Sequence, residues 1–315
     1  MKSGTLTVLV LAGLVAAVVA IPESGPPKGS SPPSSRADSD STTIVLLGTG
    51  MPRPNPEASG PATAIVVGTR VFLFDAGAGV MRQLAAAGLP INGVTALFVT
   101  HLHSDHTVGY PDLILTSWVM GRHRPLEAFG PPGLQAMTDH ILAAWREDEE
   151  VRTTGLEHAT RNGYAVAVHE ITPGVVYDSG GVRISAIPVP HGSWKYAFGY
   201  RIDTPNRSIV ISGDTRPSEA LRDAARGVDV LIHEAYPAVR LKVEDRPGGS
   251  DWPRYMQSFH TSDVEVGQLA AVAKPGLVIL YHLVRMGGSD DALLAGVRQG
   301  GYTGRVVIGR DLDRY

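Results

Sequence analysis

The chain has 315 residues, of which 43% are hydrophobic and 19% charged, the composition of an ordinary globular protein. Its formal net charge of -3 gives it no overall basic field of the kind with which nucleic-acid-binding proteins attract phosphate. It contains no cysteine, which excludes disulfides and thiolate ligands, so any metal must be held by His, Asp or Glu.

The N-terminal segment is predicted to lie outside the folded domain. Lys2 precedes an apolar run from Leu6 to Val19, which predicts a signal peptide over residues 1–20. The run is shorter than the ~20 residues that span a bilayer, so cleavage is favoured over an uncleaved membrane anchor. Residues 21–42 are rich in Pro and Ser and predict a disordered linker. We therefore expect an exported protein, periplasmic or secreted, whose folded domain covers residues 43–315.

Short apolar runs in this domain predict strands that alternate with helical stretches. The predicted strands are 44–47, 64–67, 71–74, 95–99, 182–187, 197–202, 208–211, 228–232, 277–280 and 305–308. The predicted helices are 80–87, 110–121, 133–145, 262–273 and 290–299. The polar stretch 146–162 is interpreted as a helix end and a surface insertion. The domain begins with strands and continues with helices and strands in alternation, and it has enough helices to cover both outer faces of two sheets. This order predicts an α/β (α+β) fold, a four-layer αββα sandwich.

A dense histidine cluster follows the strand predicted at 95–99. Its members are His101, His103, Asp105 and His106. His101 and His103 are two apart in an extended segment, so both side chains point the same way and can hold one ion, whereas Asp105 and His106 can reach a second. Imidazole and carboxylate ligands suit zinc, with manganese or iron as alternatives. A polar loop that is rich in histidine by chance is the alternative, but the chain has only 11 His in all.

Three later strands each end in a further candidate ligand. These residues are His191, Asp214 and His282. Strand ends collect on one edge of such a sandwich, so His191 would complete the first site, His282 the second, and Asp214 could bridge both ions. Two of them also have an ordinary alternative, a surface turn for His191 and a helix N-cap for Asp214. His282 directly follows a buried apolar strand and is harder to explain without a partner.

Together these motifs resemble the metallo-β-lactamase-fold hydrolases. The resemblance rests on His-Leu-His-Ser-Asp-His and the later ligands, and it covers nearly all of residues 43–315, including Leu47-Gly-Thr-Gly50 and Phe74-Asp-Ala-Gly77. It implies that two zinc ions are bound. The implied ligands are His101, His103, His191 and Asp214 for one ion and Asp105, His106, Asp214 and His282 for the other.

Two more stretches are similar to the tRNase Z and arylsulfatase-like branch of that superfamily. They are His233-Glu-Ala-Tyr236 and Phe259-His-Thr-Ser262. In that branch a Glu and a His so placed protonate the leaving oxygen, so the resemblance implies Asp105, Glu234 and His260 as catalytic residues. The alternatives are a strand-end salt bridge for Glu234 and a helix contact for His260. Asp75 is expected to accept a hydrogen bond from a ligand imidazole rather than only to close a turn.

The expected reaction is hydrolysis of a small ester by a hydroxide shared between the two ions. The favoured substrates are a phosphodiester or a phosphate or sulfate ester, and a β-lactamase or lactonase is the main alternative. A non-catalytic exported metal-binding protein is a second alternative. The aromatic residues Tyr110, Trp118, Trp194 and Tyr236 could form an apolar wall for an aryl group, although core packing is the simpler interpretation for each.

Nucleic acid is an unfavoured partner on three grounds. The predicted signal peptide would export the protein, the stretch 145–163 is acidic, and the chain lacks the basic balance that phosphate contacts need. No stable membrane span is expected after cleavage of the signal peptide, and a homodimer is left open.

Overall fold

The computed structural model describes residues 41–315, and the fold is built from two sheets flanked by helices. The strands are β1 Thr42–Gly48, β2 Ala62–Val67, β3 Arg70–Phe74, β4 Val94–Phe98, β5 Leu126–Gly130, β6 Val166–Glu170, β7 Gly174–Ser179, β8 Val182–Pro188, β9 Phe198–Asp203, β10 Ser208–Ile211, β11 Val230–Ala235, β12 Leu277–Leu283 and β13 Arg305–Ile308. The α-helices are α1 Val80–Ala86, α2 Ser104–Thr107, α3 Tyr110–Val119, α4 Leu134–Ala144, α5 Arg146–Thr154, α6 Arg161–Tyr164, α7 Glu219–Ala224, α8 Trp252–Phe259, α9 Asp263–Ala273 and α10 Asp290–Gln299.

The predicted signal peptide and nearly all of the predicted linker lie outside the described residues, so both stay predictions. β1 begins at Thr42, which pairs with Val67, one residue before the predicted domain boundary. Within residues 41–315, no helix combines the length and the apolar character that a bilayer crossing demands.

Both sheets have the same plan, in which antiparallel strands are followed by parallel ones. The first sheet has the order β1-β2-β3-β4-β5-β6 and becomes parallel from β3 onwards. The second has the order β13-β12-β11-β10-β9-β8-β7 and is parallel from β10 to β13. Because parallel strands end at the same edge, the segments after β3, β4, β10 and β11 are brought to one rim of the molecule.

Three apolar layers hold this arrangement together. Phe74, Phe98 and Tyr200 belong to the layer between the two sheets, where the Phe74 and Phe98 rings stack 5.2 Å apart. A second layer packs the outer face of the first sheet against α1, α3 and α4. A third packs the second sheet against α7, α9 and α10. Helix, sheet, sheet and helix therefore form four layers, which confirms the predicted αββα sandwich.

Candidate metal centre

The seven predicted ligands lie together in two adjacent groups at the common rim. Within each group the ligand atoms all lie within 4.8 Å of one another. The first group is His101, His103, His191 and Asp214, and the second is Asp105, His106 and His282. The four segments that carry them are distant in sequence, so it is the convergence of strand ends that assembles the two groups.

The imidazole nitrogens of the first group converge on one point. His101 Nε2 lies 2.9 Å from His103 Nδ1, which in turn lies 3.1 Å from His191 Nε2. Nitrogens held at ~2.0–2.1 Å from a tetrahedral zinc ion would be separated by about 3.3 Å. The spacing therefore fits a shared cation.

The second group repeats this arrangement with a carboxylate included. His106 Nε2 lies 3.2 Å from His282 Nε2, and Asp105 Oδ2 lies 3.3 Å from the same His282 nitrogen. Nitrogen and carboxylate oxygen at these separations form a donor set suited to zinc, manganese or iron.

Asp214 lies between the two groups. Its Oδ1 is 3.3 Å from His106 Nε2 and its Oδ2 is 3.6 Å from His282 Nε2, although its other neighbours belong to the first group. The carboxylate is 3% exposed, and its Oδ1 receives no hydrogen bond from the described part of the chain. A buried carboxylate oxygen without a donor is suited to a cation, and Asp214 lies close to the candidate ligands of both groups.

Hydrogen bonds on the far sides of the rings orient the ligands. His106 Nδ1 donates to Asp75 Oδ2 at 2.8 Å, and His191 Nδ1 donates to the Phe259 carbonyl at 2.7 Å. Both bonds hold a proton on Nδ1 and turn Nε2 toward the group. Asp75 also accepts from Thr100 N at 2.8 Å, and Thr100 Oγ1 lies 3.0 Å from His101 Nδ1. Asp75 therefore contacts one ligand directly and a second through Thr100.

Two of the residues have backbone conformations that side chains rarely adopt. Asp75 has φ +60 and His282 has φ +44. Glu234 pairs with Tyr281 and Ala235 with Leu283, so His282 is the extra residue of a bulge in β12. A bulge redirects a side chain out of the regular alternation, and here it turns the imidazole toward the second group.

Burial and charge set different protonation states in the two groups. Burial lowers the pKa of His191 to about 4 against the opposing charge of Asp214, and burial also lowers the pKa of His101 well below its usual value. Burial opposes protonation of His106 too, but the charges of Asp214 and Asp75 raise its pKa well above the usual value. The first group therefore presents neutral imidazoles, the form that binds metal.

An indole contacts one of the imidazoles of the first group. Trp194 Nε1 donates to His103 Nε2 at 2.7 Å. An indole N–H only donates, so this bond requires a lone pair on Nε2 and leaves the ring proton on Nδ1, the nitrogen that faces the group. An ion held by Nδ1 would shift the proton to Nε2, and the Trp194 contact would then have to lengthen.

The predicted pair Glu234 and His260 is formed beside the two groups. His260 Nδ1 lies 2.9 Å from Glu234 Oε2 and 3.9 Å from Asp214 Oδ2. Glu234 Oε1 also accepts from Thr215 N at 2.9 Å, which fixes the carboxylate. Burial disfavours a charged His260, but the Glu234 carboxylate more than offsets it and raises the pKa of His260 to about 9.

Local backbone structure holds this pair in register. Asp263 N donates to the Tyr236 carbonyl at 2.8 Å, so the segment after His260 runs beside the end of β11. α9 then begins with a capping box between Ser262 and Glu265. His260 is thereby fixed between the last turn of α8 and the first turn of α9.

A cavity of about 600 Å³ opens onto the centre. Its lining includes Asp105, Asp214, His260 and His282, and its aromatic wall is formed by Trp252 and Tyr255. The sequence analysis missed these two aromatic residues. Of the four aromatics that it named, three are core residues, since Tyr110, Trp118 and Tyr236 are at most 2% exposed. Trp194 contacts His103 instead.

Comparison with known proteins agrees with this centre. The model of the beta-lactamase superfamily domain matches residues 70–283, a range that contains all seven candidate ligands. Ribonuclease Z of Mycobacterium marinum is 34% identical over 285 residues, which cover 86% of this chain and 97% of that protein. Ribonuclease Z of Mycobacterium sp. (strain KMS) is 36% identical over 243 residues, covering 76% of this chain and 83% of that protein.

Solved structures share the fold. Human tRNase Z, short form, superposes with a TM-score of 0.63 at 23% identity, covering 87% of this chain and 98% of that chain. The metallo-beta-lactamase fold protein YhfI from Bacillus subtilis gives a TM-score of 0.65 at 18% identity, with coverage of 87% and 98%.

The fold and the two groups of His and Asp side chains define a metal-dependent hydrolase. By its domain match and its relatives, the chain belongs to the metallo-β-lactamase superfamily and, within it, to the ribonuclease Z family.

These relatives contradict one expectation from the sequence. Nucleic acid was unfavoured as a partner and a small ester favoured, whereas relatives that cover most of the chain are named ribonucleases. The inference failed because net charge is an average over the whole chain and says little about one surface. The acidic stretch that was weighed against nucleic acid is folded into α5 and α6, and its Arg152 pairs with Asp148 at 2.9 Å.

Proposed function

We propose that the protein is a zinc-dependent phosphodiesterase that cleaves RNA, with His260 protonating the leaving oxygen. Two observations support the proposal. Relatives that cover most of the chain are named ribonuclease Z. The observation that carries the mechanism is the bond of 2.9 Å between His260 and Glu234, which places an imidazole beside both groups of ligands.

The ligand residues would hold two zinc ions, which supply a strong nucleophile at neutral pH and neutralise negative charge on the phosphate. The chain itself supplies a rigid frame for them. Asp75 and the Phe259 carbonyl fix His106 and His191, so the Nε2 atoms of both rings are oriented before an ion arrives. Asp214, which contacts both groups, sets the separation of the two sites.

His260 has the properties of a general acid. Its Nδ1 donates to Glu234, so Nε2 is the nitrogen available to the substrate, and the side chain lines the cavity that opens onto the centre. Because Glu234 raises its pKa to about 9, the ring is protonated at neutral pH. A ribose oxygen leaves as a strongly basic alkoxide, and proton transfer from an oriented imidazolium removes that barrier.

The proposal is tested by comparing leaving groups. The metal-loaded chain is assayed on a short labelled RNA and on bis(p-nitrophenyl) phosphate, whose nitrophenolate leaves without a proton. We expect His260→Ala to slow RNA cleavage by about 10²–10⁴-fold and to slow the nitrophenyl ester far less. Glu234→Gln should likewise slow the cleavage of RNA more than that of the nitrophenyl ester. It should also move the upper limb of the pH profile to lower pH.

His140→Ala is a suitable control, because His140 is an exposed histidine on α4 whose one hydrogen bond within residues 41–315 is to the Ala136 carbonyl. Equal losses on both substrates in His260→Ala would exclude the general-acid role. The absence of zinc-dependent cleavage of RNA in the unmodified protein would exclude the proposed function itself.

A further inference from the structure

A second and larger cavity adjoins the one at the metal centre. Its volume is about 1030 Å³, and both cavities are lined by Met51, Arg53, Arg246, Trp252 and Val284. The two are therefore parts of one groove that leads away from the ligands. Pockets for small molecules measure ~300–1,000 Å³, so the cavity at the centre would suffice for a small ester, and the second cavity provides room for a longer substrate.

The second cavity is basic although the chain as a whole is acidic. Six basic side chains line it, Arg53, Arg240, Lys242, Arg246, Arg285 and Arg310, against the four acidic ones of Glu57, Glu244, Asp290 and Asp311. The resulting excess of two positive charges contrasts with a formal net charge of -3 for the whole chain. An anion is therefore the expected occupant.

Half of these cations have no acidic partner among the described residues. Arg246 pairs with Glu244, and both Arg285 and Arg310 pair with Asp290, at 2.5 Å and 2.7 Å. A second set, Arg53, Arg240 and Lys242, forms no ion pair within residues 41–315; we call these three residues the basic track.

The track is exposed to solvent, and one of its members is anchored. All three side chains belong to exposed residues. Arg240 Nε donates to the Met286 carbonyl at 3.2 Å, which anchors the guanidinium and leaves its two terminal amino groups for a ligand. Arg53 lines both cavities, whereas Arg240 and Lys242 line only the outer one. The track thus begins at the metal centre and continues away from it.

A row of separate cations fits a polyanion better than a single phosphate. One phosphate would be met by converging donors, but these residues lie in two chain segments along an open groove. The wall contributed by α8 is aromatic, since Trp252 and Tyr255 stack with ring centroids 5.4 Å apart. Cations that follow a backbone beside an aromatic wall are the usual design for single-stranded nucleic acid.

We infer that this groove binds the single-stranded RNA that continues from the cleaved bond, with the basic track contacting its successive phosphates. The inference rests on the proposed function and adds that cleavage depends on the length of the RNA. Extra nucleotides on the RNA gain contacts only in the outer cavity. A dinucleotide, which stays at the metal centre, gains none of them.

The test compares the zinc-loaded chain on oligouridylates of two and eight nucleotides. For the unmodified protein we expect kcat/KM to be at least tenfold higher for the longer RNA and to fall steeply with salt. In the variant that combines Arg240→Gln with Lys242→Gln, kcat/KM for the longer RNA should fall close to that for the dinucleotide. It should also reduce the slope of log kcat/KM against log salt by about 1.4, since each phosphate contact on a single strand contributes about 0.7.

Arg82→Gln combined with Arg124→Gln is the matched control. Both are exposed arginines outside the two cavities, and neither makes an ion pair in the described part of the chain, so the change in net charge is identical. An unchanged length ratio in the Arg240/Lys242 variant, or an equal loss in the control, would overturn the inference and leave the proposed function standing. If the zinc-loaded protein cleaved neither RNA, both the inference and the proposed function would be excluded.

Discussion

Asp75 Oδ2 accepts a hydrogen bond from His106 Nδ1 at 2.8 Å, and the carboxylate is 3% exposed. This bond selects the tautomer in which His106 Nε2 faces the second group of ligands. Asp75 also accepts from Thr100 Oγ1 at 2.9 Å, and Thr100 contacts His101 of the first group. One carboxylate outside the two groups therefore orients candidate ligands in both of them.

Asp75→Asn should weaken metal binding without removing a ligand. An amide lacks the negative charge, and its NH₂ group cannot accept the His106 proton, so we expect zinc affinity to fall about 10–100-fold. Asn tolerates the positive φ of this position, so the backbone should be retained. Competition with a chromophoric chelator measures the affinity. Asp112→Asn, a surface change on α3, should leave it unaltered, and an Asp75→Asn protein that binds zinc as tightly as the unmodified chain would contradict the argument.

A glycine beside the first group allows a phenylalanine to hold His191. Gly192 has φ +52, and a Cβ there would lie 2.0 Å from the Phe259 ring. The Phe259 carbonyl accepts from His191 Nδ1, so a displaced Phe259 would misalign that ligand. We expect Gly192→Ala to lower both zinc affinity and hydrolysis by at least tenfold.

Gly227→Ala separates this contact from simple backbone strain. Gly227 has φ +62, close to that of Gly192, but no atom lies within 4 Å of the position of its Cβ. Gly227→Ala should therefore destabilise the backbone about as much as Gly192→Ala does, but leave zinc affinity unchanged. If the two variants bound zinc equally well, the steric coupling through Phe259 would be refuted.

Trp194 should report the arrival of a metal ion. The Trp194 indole N–H donates to His103 Nε2 at 2.7 Å. An ion bound at His103 Nδ1 would place the ring proton on Nε2, so two N–H groups would then face each other and the contact would be lost. Titration of zinc into the metal-free chain should therefore change the intrinsic tryptophan fluorescence, and Trp194→Phe should abolish most of the change. Trp145→Phe, a substitution on the surface, should retain it. The same change in both variants would show that the indole contact is not altered by the ion.

Much of the centre was predictable because its signals are local. His101, His103, Asp105 and His106 follow directly on the apolar strand β4, and strands of that kind end at the rim of the sheet. The later ligands were predictable from the same rule, since each follows or ends an apolar run. β7 was not predicted, because its apolar run Val175-Val-Tyr177 is short, and the structure leaves none of its residues buried.

The surroundings of the centre depend on contacts between distant segments. Trp252 and Tyr255 begin a helix that the sequence analysis did not predict, and their place in the cavity follows from how α8 packs. The basic track joins Arg53 to residues almost two hundred positions later, so no local pattern marks it. The bulge at His282 was equally hidden, because it depends on the register between β11 and β12.

Asp311 holds the loop that carries Arg53. Its Oδ1 accepts from Thr49 N at 2.9 Å and from Thr49 Oγ1 at 2.8 Å, and its Oδ2 accepts from Ser59 N at 2.7 Å and from Gln83 Nε2 at 2.8 Å. The loop between Thr49 and Ser59 is thus closed by one carboxylate from the C-terminal segment. Its position decides where Arg53 enters the groove.

Asp311→Asn should loosen this loop. An amide replaces one of the two accepting oxygens with a donor, so at least one loop hydrogen bond is lost, at a cost of about 1–3 kcal/mol in the free energy of unfolding. We expect faster cleavage after Glu57 by a glutamate-specific protease and a higher KM for the eight-nucleotide RNA. Asp313→Asn is the control, since Asp313 Oδ2 accepts from Arg310 N at 2.9 Å outside the loop. Unchanged proteolysis at Glu57 in Asp311→Asn would mean that other contacts fix the loop, and that Arg53 does not depend on Asp311.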